Sequence, residues 1–276
     1  MSDRLTDQYA VMGNPIAHSK SPFIHSLFAA QTGQNLEYKS ILVEIDAFES
    51  SVKLFAKNNG KGLNITVPFK QQAWDLVDEK SRCAEKAGAV NTIIINESGQ
   101  MTGDNTDGIG LVNDLKNNHD FDFKNKKILV LGAGGAVRGV LGPILDERPE
   151  SVVVANRTVS KASELESLFA EDGCIKGVGF GQIGDHGFDL VINGTAASLS
   201  GDLPPISPAV VKGACCYDMM YSKTDTVFMA WARENEAKKV WDGLGMLVEQ
   251  AAESFYLWRG VRPDTSTVIQ QVRDAY

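Results

Sequence analysis

Hydrophobic residues follow two rhythms along this chain. Short continuous apolar runs alternate with stretches in which apolar positions recur every three or four residues, the signatures of buried strands and amphipathic helices. "YAVMG" predicts a strand. "PFIHSLFAAQTG" predicts a helix with proline in its first turn and glycine as its stop. "YKSILVEI" reads as a strand, "AFESSVKLFAKNNG" as a helix ending in Asn-Gly, and "GLNIT" and "AVNTIIIN" as further strands. This β-α-β-α order predicts an α/β domain with a largely parallel sheet.

The pattern changes near residue 105. "NTDGIGLVNDLKNN" predicts a helix and the polar stretch "NHDFDFKNKK" follows it. Then "ILVLGAGGAVRGVLGPIL" gives a continuous apolar strand, a glycine turn and a helix. "SVVVANRT", "FDLVINGT", "ACCYDMM" and "KKVWDG" read as strands, with a helix at "SKASELESLFA" after the first of them. "GMLVEQAAESFYLWRG" and "TSTVIQQVRDAY" close the chain as helices. The fold class is therefore α/β in two domains: an N-terminal substrate domain over residues 1–106 plus 242–276, and a Rossmann-like dinucleotide-binding domain over 107–241. The C-terminal helices are expected to return to the first domain, with a ligand cleft between the two.

Composition narrows the function classes. The net charge of −8 argues against a nucleic-acid partner. No apolar run approaches membrane-span length, and "MSDRLTDQYA" lacks the basic start and apolar stretch of a secretory leader. Cys83, Cys174, Cys215 and Cys216 form neither a C-x-x-C motif nor a zinc cluster, and no metal is expected. Adjacent Cys215 and Cys216 read as buried strand thiols, and a reduced cytoplasmic location fits.

"LVLGAGGA" leads a buried strand into Gly132, Ala133, Gly134, Gly135 and Ala136. Such a turn lets backbone approach a pyrophosphate, and the helix after it offers unpaired N–H groups. The third glycine of G-x-G-x-x-G is replaced by Val137, so the fingerprint is incomplete. The strand before and the helix after still favour a dinucleotide over a plain tight turn. An NAD-binding domain places an acidic residue at the end of its second strand. Here that strand ends in Asn156, Arg157 and Thr158, with Lys161 close behind. A guanidinium and a hydroxyl suit a 2′-phosphate that a carboxylate would repel. Cations at a helix start are otherwise slightly unfavourable. The expected cofactor is NADP.

Four polar stretches in the first domain flank strands or turns: residues 13–22 (GNPIAHSKSP), 64–70 (NITVPFK), 89–92 (AVNT) and 103–108 (GDNTDG). Singly each has an ordinary explanation. Ser19 or Ser21 could cap a helix, as could Asp107. Asn64 and Asn91 could satisfy backbone at strand ends, and Lys70 could be an exposed lysine. His18 reads as a turn histidine without chemistry.

Together with "GAGGA", "NRT", "YDMMY" and "DGLGMLVEQAA", in this order over essentially the whole length, they resemble the NADP-dependent shikimate dehydrogenase family of aromatic amino-acid (chorismate) biosynthesis. The resemblance implies reversible reduction of 3-dehydroshikimate to shikimate. It implies Lys70 as the acid/base group with Asp107 beside it. Ser19 and Ser21 would bind the substrate carboxylate. Asn64, Thr66, Asn91, Tyr221 and Gln250 would contact the rest of the substrate, with Asp107 also reaching a ring hydroxyl. Met219 and Gly243 would sit near the nicotinamide, and the glycine turn and the residues from Asn156 to Lys161 would hold the rest of NADP. Two positions depart from the family pattern. Arg82 stands where many members carry an acidic residue near the cofactor, and Asp104 adds a second carboxylate close to Asp107. A small-molecule substrate fits, and a monomer and a homodimer are both compatible.

The chemistry suits these residue types. Hydride arrival at a ketone carbon loads negative charge on the oxygen, and an ammonium can polarise that oxygen and then donate. Desolvation favours the neutral amine and a neighbouring carboxylate favours the ammonium, so the two groups form one coupled unit. A sister enzyme acting on quinate or using a broader range of cofactors is the near alternative. A non-catalytic NADP-binding regulator on the same fold has no need for both Lys70 and Asp107. Arg157→Asp is expected to raise the KM for NADP far more than that for NAD. Equal effects in steady-state kinetics would remove the argument from the second strand.

Overall fold

A computed structural model describes residues 6–184, 187–195, 197 and 201–275, so residues 1–5, read above for a leader, lie outside it. The chain divides into two compact units, Met1–Gly110 with Val248–Tyr276, and Leu111–Leu247.

In the first unit a six-stranded sheet runs in the order β2-β1-β3-β5-β6-β4. Its strands are β1 (Asp7–Gly13), β2 (Leu36–Leu42), β3 (Gly60–Ile65), β4 (Glu79–Lys80), β5 (Thr92–Ile95) and β6 (Met101–Asp104). The β1–β2 and β1–β3 pairs are parallel, as expected, because helical crossovers α1 (Ser21–Thr32) and α2 (Phe48–Lys57) join them. Gly33 ends α1 at φ 65° with its N–H on Ala29 O, and Asn59 at φ 62° turns the chain from α2 into β3. The expectation of a largely parallel sheet needs correction beyond β3. The β3–β5 and β5–β6 pairs are antiparallel. The link from β5 to β6 is too short for a crossover, and Asn96 Oδ1 closes it by accepting from the N–H groups of Ser98 and Gln100.

Two short helices follow β3: α3 (Lys70–Leu76) and α4 (Arg82–Ala87). Phe69, fully buried ahead of α3, stacks on Phe48 at 4.8 Å and anchors that turn in the core. Helix α5 (Asp107–Asn113) leads out of this unit, and a π-helical turn, Asp114–Asn118, opens the next. At the other end the chain returns within α9 (Leu244–Arg259), followed by α10 (Ser266–Asp274). Trp258 Nε1 donates to Ile93 O at 3.0 Å and Gln31 Nε2 to Asp264 O at 3.1 Å, which ties these last helices to the first unit.

The second unit carries an all-parallel sheet in the order β12-β11-β10-β7-β8-β9. Its strands are β7 (Lys127–Leu131), β8 (Ser151–Asn156), β9 (Ile175–Gly179), β10 (Leu190–Asn193), β11 (Cys215–Asp218) and β12 (Lys239–Trp241). Helices α6 (Gly135–Asp146), α7 (Val159–Phe169) and α8 (Val227–Glu234) accompany them. This is the doubly wound order of a dinucleotide fold, with its switch point between β7 and β10. The continuous apolar run of β7 has a physical reason. Ile128 and Val130 enter the core on one face, and Leu129 and Leu131 the core on the other.

Cys215 and Cys216 likewise face opposite cores, as strand alternation requires. Burial pushes the Cys216 thiol up to about 12, with its neighbour Cys215 adding to the effect. All four cysteines are thiols, none of them in a disulfide. A thiol reagent applied to the native protein at pH 8 is expected to label exposed Cys174 and to leave Cys216 unmodified until denaturant is added. Peptide mass spectrometry reads this directly, and native labelling of Cys216 would contradict the packing.

Candidate active site

In the first unit the turn after β1 carries Ser19 and Ser21, and the turn after β3 carries Thr66 and Lys70. Asn14 N–H donates to Val67 O at 3.0 Å and joins the two turns, and the peptide bonds before Pro15 and Pro68 are cis. Ser19 does not occupy the N-cap position of α1, which is Lys20, but its Oγ accepts from Ser21 N–H at 3.3 Å. Ser21 is buried and Ser19 half-buried. His18 is exposed, in keeping with a turn residue. The Thr66 backbone is held by its N–H on Met12 O at 3.0 Å, and no hydrogen bond joins its side chain to the rest of the site among the described residues.

Lys70 is the first residue of α3, where a cation opposes the helix dipole. Its ammonium reaches Asp107 Oδ2 at 2.5 Å, and the two side chains are 32% and 17% exposed. Asp107 opens α5, where a carboxylate is favoured, and its N–H donates to Asn105 Oδ1 at 3.2 Å. The carboxylate's other oxygen accepts from Asn91 Nδ2 at 2.7 Å. Asn91 is buried and fixed from behind, since its Oδ1 accepts the Thr106 N–H at 2.9 Å. Gln250 Oε1 stands 3.5 Å from both Asn91 Nδ2 and Thr106 Oγ1. Gly110 permits that approach, because a Cβ there would lie 2.7 Å from the Gln250 backbone nitrogen. Lys70, Asp107, Asn91 and Gln250 thus converge from α3, α5, the start of β5 and α9.

Asn64 is hydrogen-bonded within the protein through both amide atoms. Its Oδ1 accepts from Tyr38 Oη at 2.7 Å, while its Nδ2 faces Thr92 Oγ1 at 3.1 Å and Ser254 Oγ at 2.9 Å. Burial raises the Tyr38 phenol well above its ordinary range, the Ser21 hydroxyl partly opposing, so it stays protonated and can donate. His25 stacks on Tyr38 at 4.1 Å, and neither of its ring nitrogens has a hydrogen-bond partner. Burial pushes its imidazole down to about 3, against a smaller opposing effect of Asn64, so the ring is neutral. Asp104 is also a structural group. Its Oδ1 accepts from Ser81 Oγ at 2.5 Å and Asn105 N–H at 2.6 Å, and Ser81 caps α4. Arg82, which follows it, is exposed.

In the second unit Gly132 turns the chain at φ 104°, a conformation that favours glycine. A Cβ on Gly134 or Gly135 would meet nothing within 4 Å, and no side chain caps α6. The N–H groups opening α6 are therefore open to an anion, and the residues present fit a dinucleotide pyrophosphate. Ala133 is half-buried and Ala136 exposed beside them. Val137 replaces the fingerprint's third glycine because the room is made elsewhere: a Cβ on Gly194 would come within 2.5 Å of Val137 Cγ2. Past β8, Asn156 Nδ2 closes the turn on Thr158 O at 3.0 Å. Arg157, Thr158 and Lys161 are exposed, and the two cationic side chains make no ion pair among the described residues.

Met219 lies after β11, its N–H on Asn193 O at 2.9 Å and its sulfur packed against Gly194. Gly243 is required on its other side, since a Cβ there would stand 2.3 Å from Met219 O. Buried Asp218 clamps this loop, accepting from Met220 N–H at 3.1 Å and Thr226 Oγ1 at 2.6 Å across the segment that carries half-buried Tyr221.

The residues that the motif reading did not single out are Tyr38, Thr92, Thr106, Ser254 and Asp218. Thr92 and Thr106 lie inside the motifs, Asp218 sits in "YDMMY", and Ser254 is one helical turn beyond Gln250 on α9. Tyr38 has no signal beyond an aromatic residue in a strand.

Three family models match the chain. Residues 11–93 match the shikimate dehydrogenase substrate binding domain, 114–199 the shikimate / quinate 5-dehydrogenase model, and 243–273 the shikimate 5′-dehydrogenase C-terminal domain. The shikimate dehydrogenase (NADP(+)) of Marinobacter nauticus is 55% identical over 97% of this chain and 98% of its own length. That of Janthinobacterium sp. is 54% identical over 99% of each. Among solved structures, an Ael1 enzyme from Pseudomonas putida aligns with a TM-score of 0.92 at 45% identity, covering 96% of this chain and 97% of that one. The shikimate 5-dehydrogenase of Thermus thermophilus, in complex with NADP(H) and shikimate, aligns with a TM-score of 0.85 at 30% identity, covering 98% of this chain and all of the other. No helix among the described residues is long and apolar enough to cross a membrane. An ammonium–carboxylate pair on an α/β unit, a dinucleotide turn on a doubly wound unit and relatives matched end to end lead to one conclusion: the chain belongs to the shikimate dehydrogenase family.

Proposed function

We propose that this chain catalyses the reversible NADPH-dependent reduction of 3-dehydroshikimate to shikimate, with Lys70 and Asp107 as its acid/base pair. The observation that carries the reading is the 2.5 Å contact between the Lys70 ammonium and Asp107, a pair that is partly buried yet still reachable from solvent. Bound NADPH supplies the hydride that adds to the ketone carbon. The Lys70 ammonium polarises the ketone oxygen and passes it the proton that completes the hydroxyl. Asp107 holds the ammonium in place and charged, and Asn91 holds the carboxylate. In the reverse direction Lys70 accepts the hydroxyl proton. Ser19 and Ser21 supply hydroxyl donors for the substrate carboxylate, with Thr66 and Gln250 lining the site and Tyr221 a further substrate contact. Asn64 supports it through Thr92 and Ser254.

NADP would be held by the turn from Gly132 to Ala136 at its pyrophosphate, and by Asn156, Arg157, Thr158 and Lys161 at its 2′-phosphate. Met219 and Gly243 would lie near the nicotinamide. The exposed cations Arg157 and Lys161 support this cofactor preference, and four cysteines kept as thiols support a cytoplasmic setting.

A spectrophotometric assay of NADP reduction with shikimate, repeated with quinate and with NAD, tests the reading. Shikimate with NADP should give the highest kcat/KM, and no turnover with that pair would end the proposal. Lys70→Ala should lower kcat by roughly 10²–10⁴-fold with little change in KM for shikimate. A weakened affinity with turnover retained would make Lys70 a binding residue only.

A further inference from the structure

Behind Asp107 runs a line of buried polar side chains whose hydrogen bonds all point one way. Tyr38 Oη donates to Asn64 Oδ1 at 2.7 Å. Asn64 Nδ2 donates to Thr92 Oγ1 at 3.1 Å. Thr92 Oγ1 donates to Asn91 Oδ1 at 2.9 Å. Asn91 Nδ2 donates to Asp107 Oδ1 at 2.7 Å. From this geometry we propose that Tyr38 and Thr92 are positioning residues of the acid/base pair, acting on Asp107 through a hydrogen-bond chain of fixed polarity. The inference rests on Lys70 and Asp107 being that pair.

The polarity is dictated by groups that cannot reverse. The Asn64 amide nitrogen also faces the Asn91 carbonyl at 3.3 Å, and a carbonyl only accepts. Asn64 must therefore turn its oxygen to Tyr38, and the phenol must donate. The Asn91 oxygen faces the Thr106 N–H, which only donates. Asn91 must therefore turn its nitrogen to Asp107. Thr92 lies between the two amides, so its hydroxyl accepts from one and donates to the other. Ser254 Oγ lies 2.7 Å from Thr92 Oγ1, and since the Thr92 proton goes to Asn91, the Ser254 proton is the one that fills this contact and completes the node.

Burial gives the chain its leverage. Asn64, Asn91, Thr92 and Ser254 are each at most 6% exposed. Hydrogen bonds in series within a low-dielectric interior polarise one another by about 10–30% per bond. Each upstream donor thus sharpens the positive end that Asn91 presents to the carboxylate. Few charges compete. The Lys70 ammonium of α3 is the charged group that touches Asp107. The titratable groups flanking the chain, His25 and Tyr38, are neutral across any assay range because of their burial.

The test is the pH dependence of kcat for shikimate oxidation, a direction in which the acid/base pair must first give up a proton. Thr92→Val keeps the side-chain shape and removes the link. A less well-stabilised carboxylate keeps the pair protonated to higher pH, so the acid limb should move up by about 0.2–0.6 pH units. The KM for NADP should not change. Tyr38→Phe should shift the limb the same way by less, and Thr92→Ser, which restores the hydroxyl, should return it to the wild-type position. An acid limb that stays in place or moves down in Thr92→Val overturns the proposal, as does a Thr92→Ser limb displaced as far as that of Thr92→Val. If Thr92→Val fails to fold, Tyr38→Phe decides alone, and an unmoved limb overturns the proposal. Lys70→Ala and Asp107→Asn separate the two levels. Wild-type turnover in either removes the acid/base reading itself, whatever Thr92 does.

Discussion

A lysine at the first position of a helix is in the wrong place by the electrostatics of the backbone, and the ion pair to Asp107 answers that misplacement. The pair accounts for much of what surrounds it. The carboxylate opens the next helix, where the dipole favours it, and Asn91 fixes one of its oxygens so that the other faces the ammonium. Phe69, sunk in the core beside Phe48, sets the turn from which Lys70 projects. A rigid apolar anchor and a buried amide thus hold two opposite charges together at the edge of solvent.

The second unit solves a different problem with the same economy of parts. The strand-to-helix turn is left bare at Gly134 and Gly135, so its backbone rather than any side chain faces outward. The strands beneath are buried on both faces, which fixes their register and keeps the turn in place. Met219, lodged between Gly194 and Gly243, and the loop clamped by Asp218 are placed by the same strand ends.

Much of this was legible in the residues. The continuous apolar runs of β7, β8 and β10 announced buried strands, and the glycines announced the turn that ends β7. The motifs located Lys70, Asp107 and Asn91, whose contacts the structure then displayed. Legibility stopped where a role depends on a distant partner. Asp104 could be read only as a carboxylate close to Asp107, because its partners, Ser81 and a backbone N–H, are not apparent from the motif. The partner of Asn64 was not legible either, since Tyr38, which donates to its oxygen, is far away in sequence. The antiparallel turn at β5–β6 was missed because β6 is short and its few apolar positions give no period, although Asn96 and Gly99 marked the bend.

The packing of Val137 against Gly194 bears on how a glycine fingerprint is to be counted. A Cβ on Gly194 would stand 2.5 Å from Val137 Cγ2 and 3.0 Å from Met219 Sδ, so the volume beneath the turn is already filled by two side chains. The glycine absent from the first turn is matched by one that the chain supplies much later, after β10. A signature read only along the first turn therefore undercounts the positions that must stay small to keep that turn in shape.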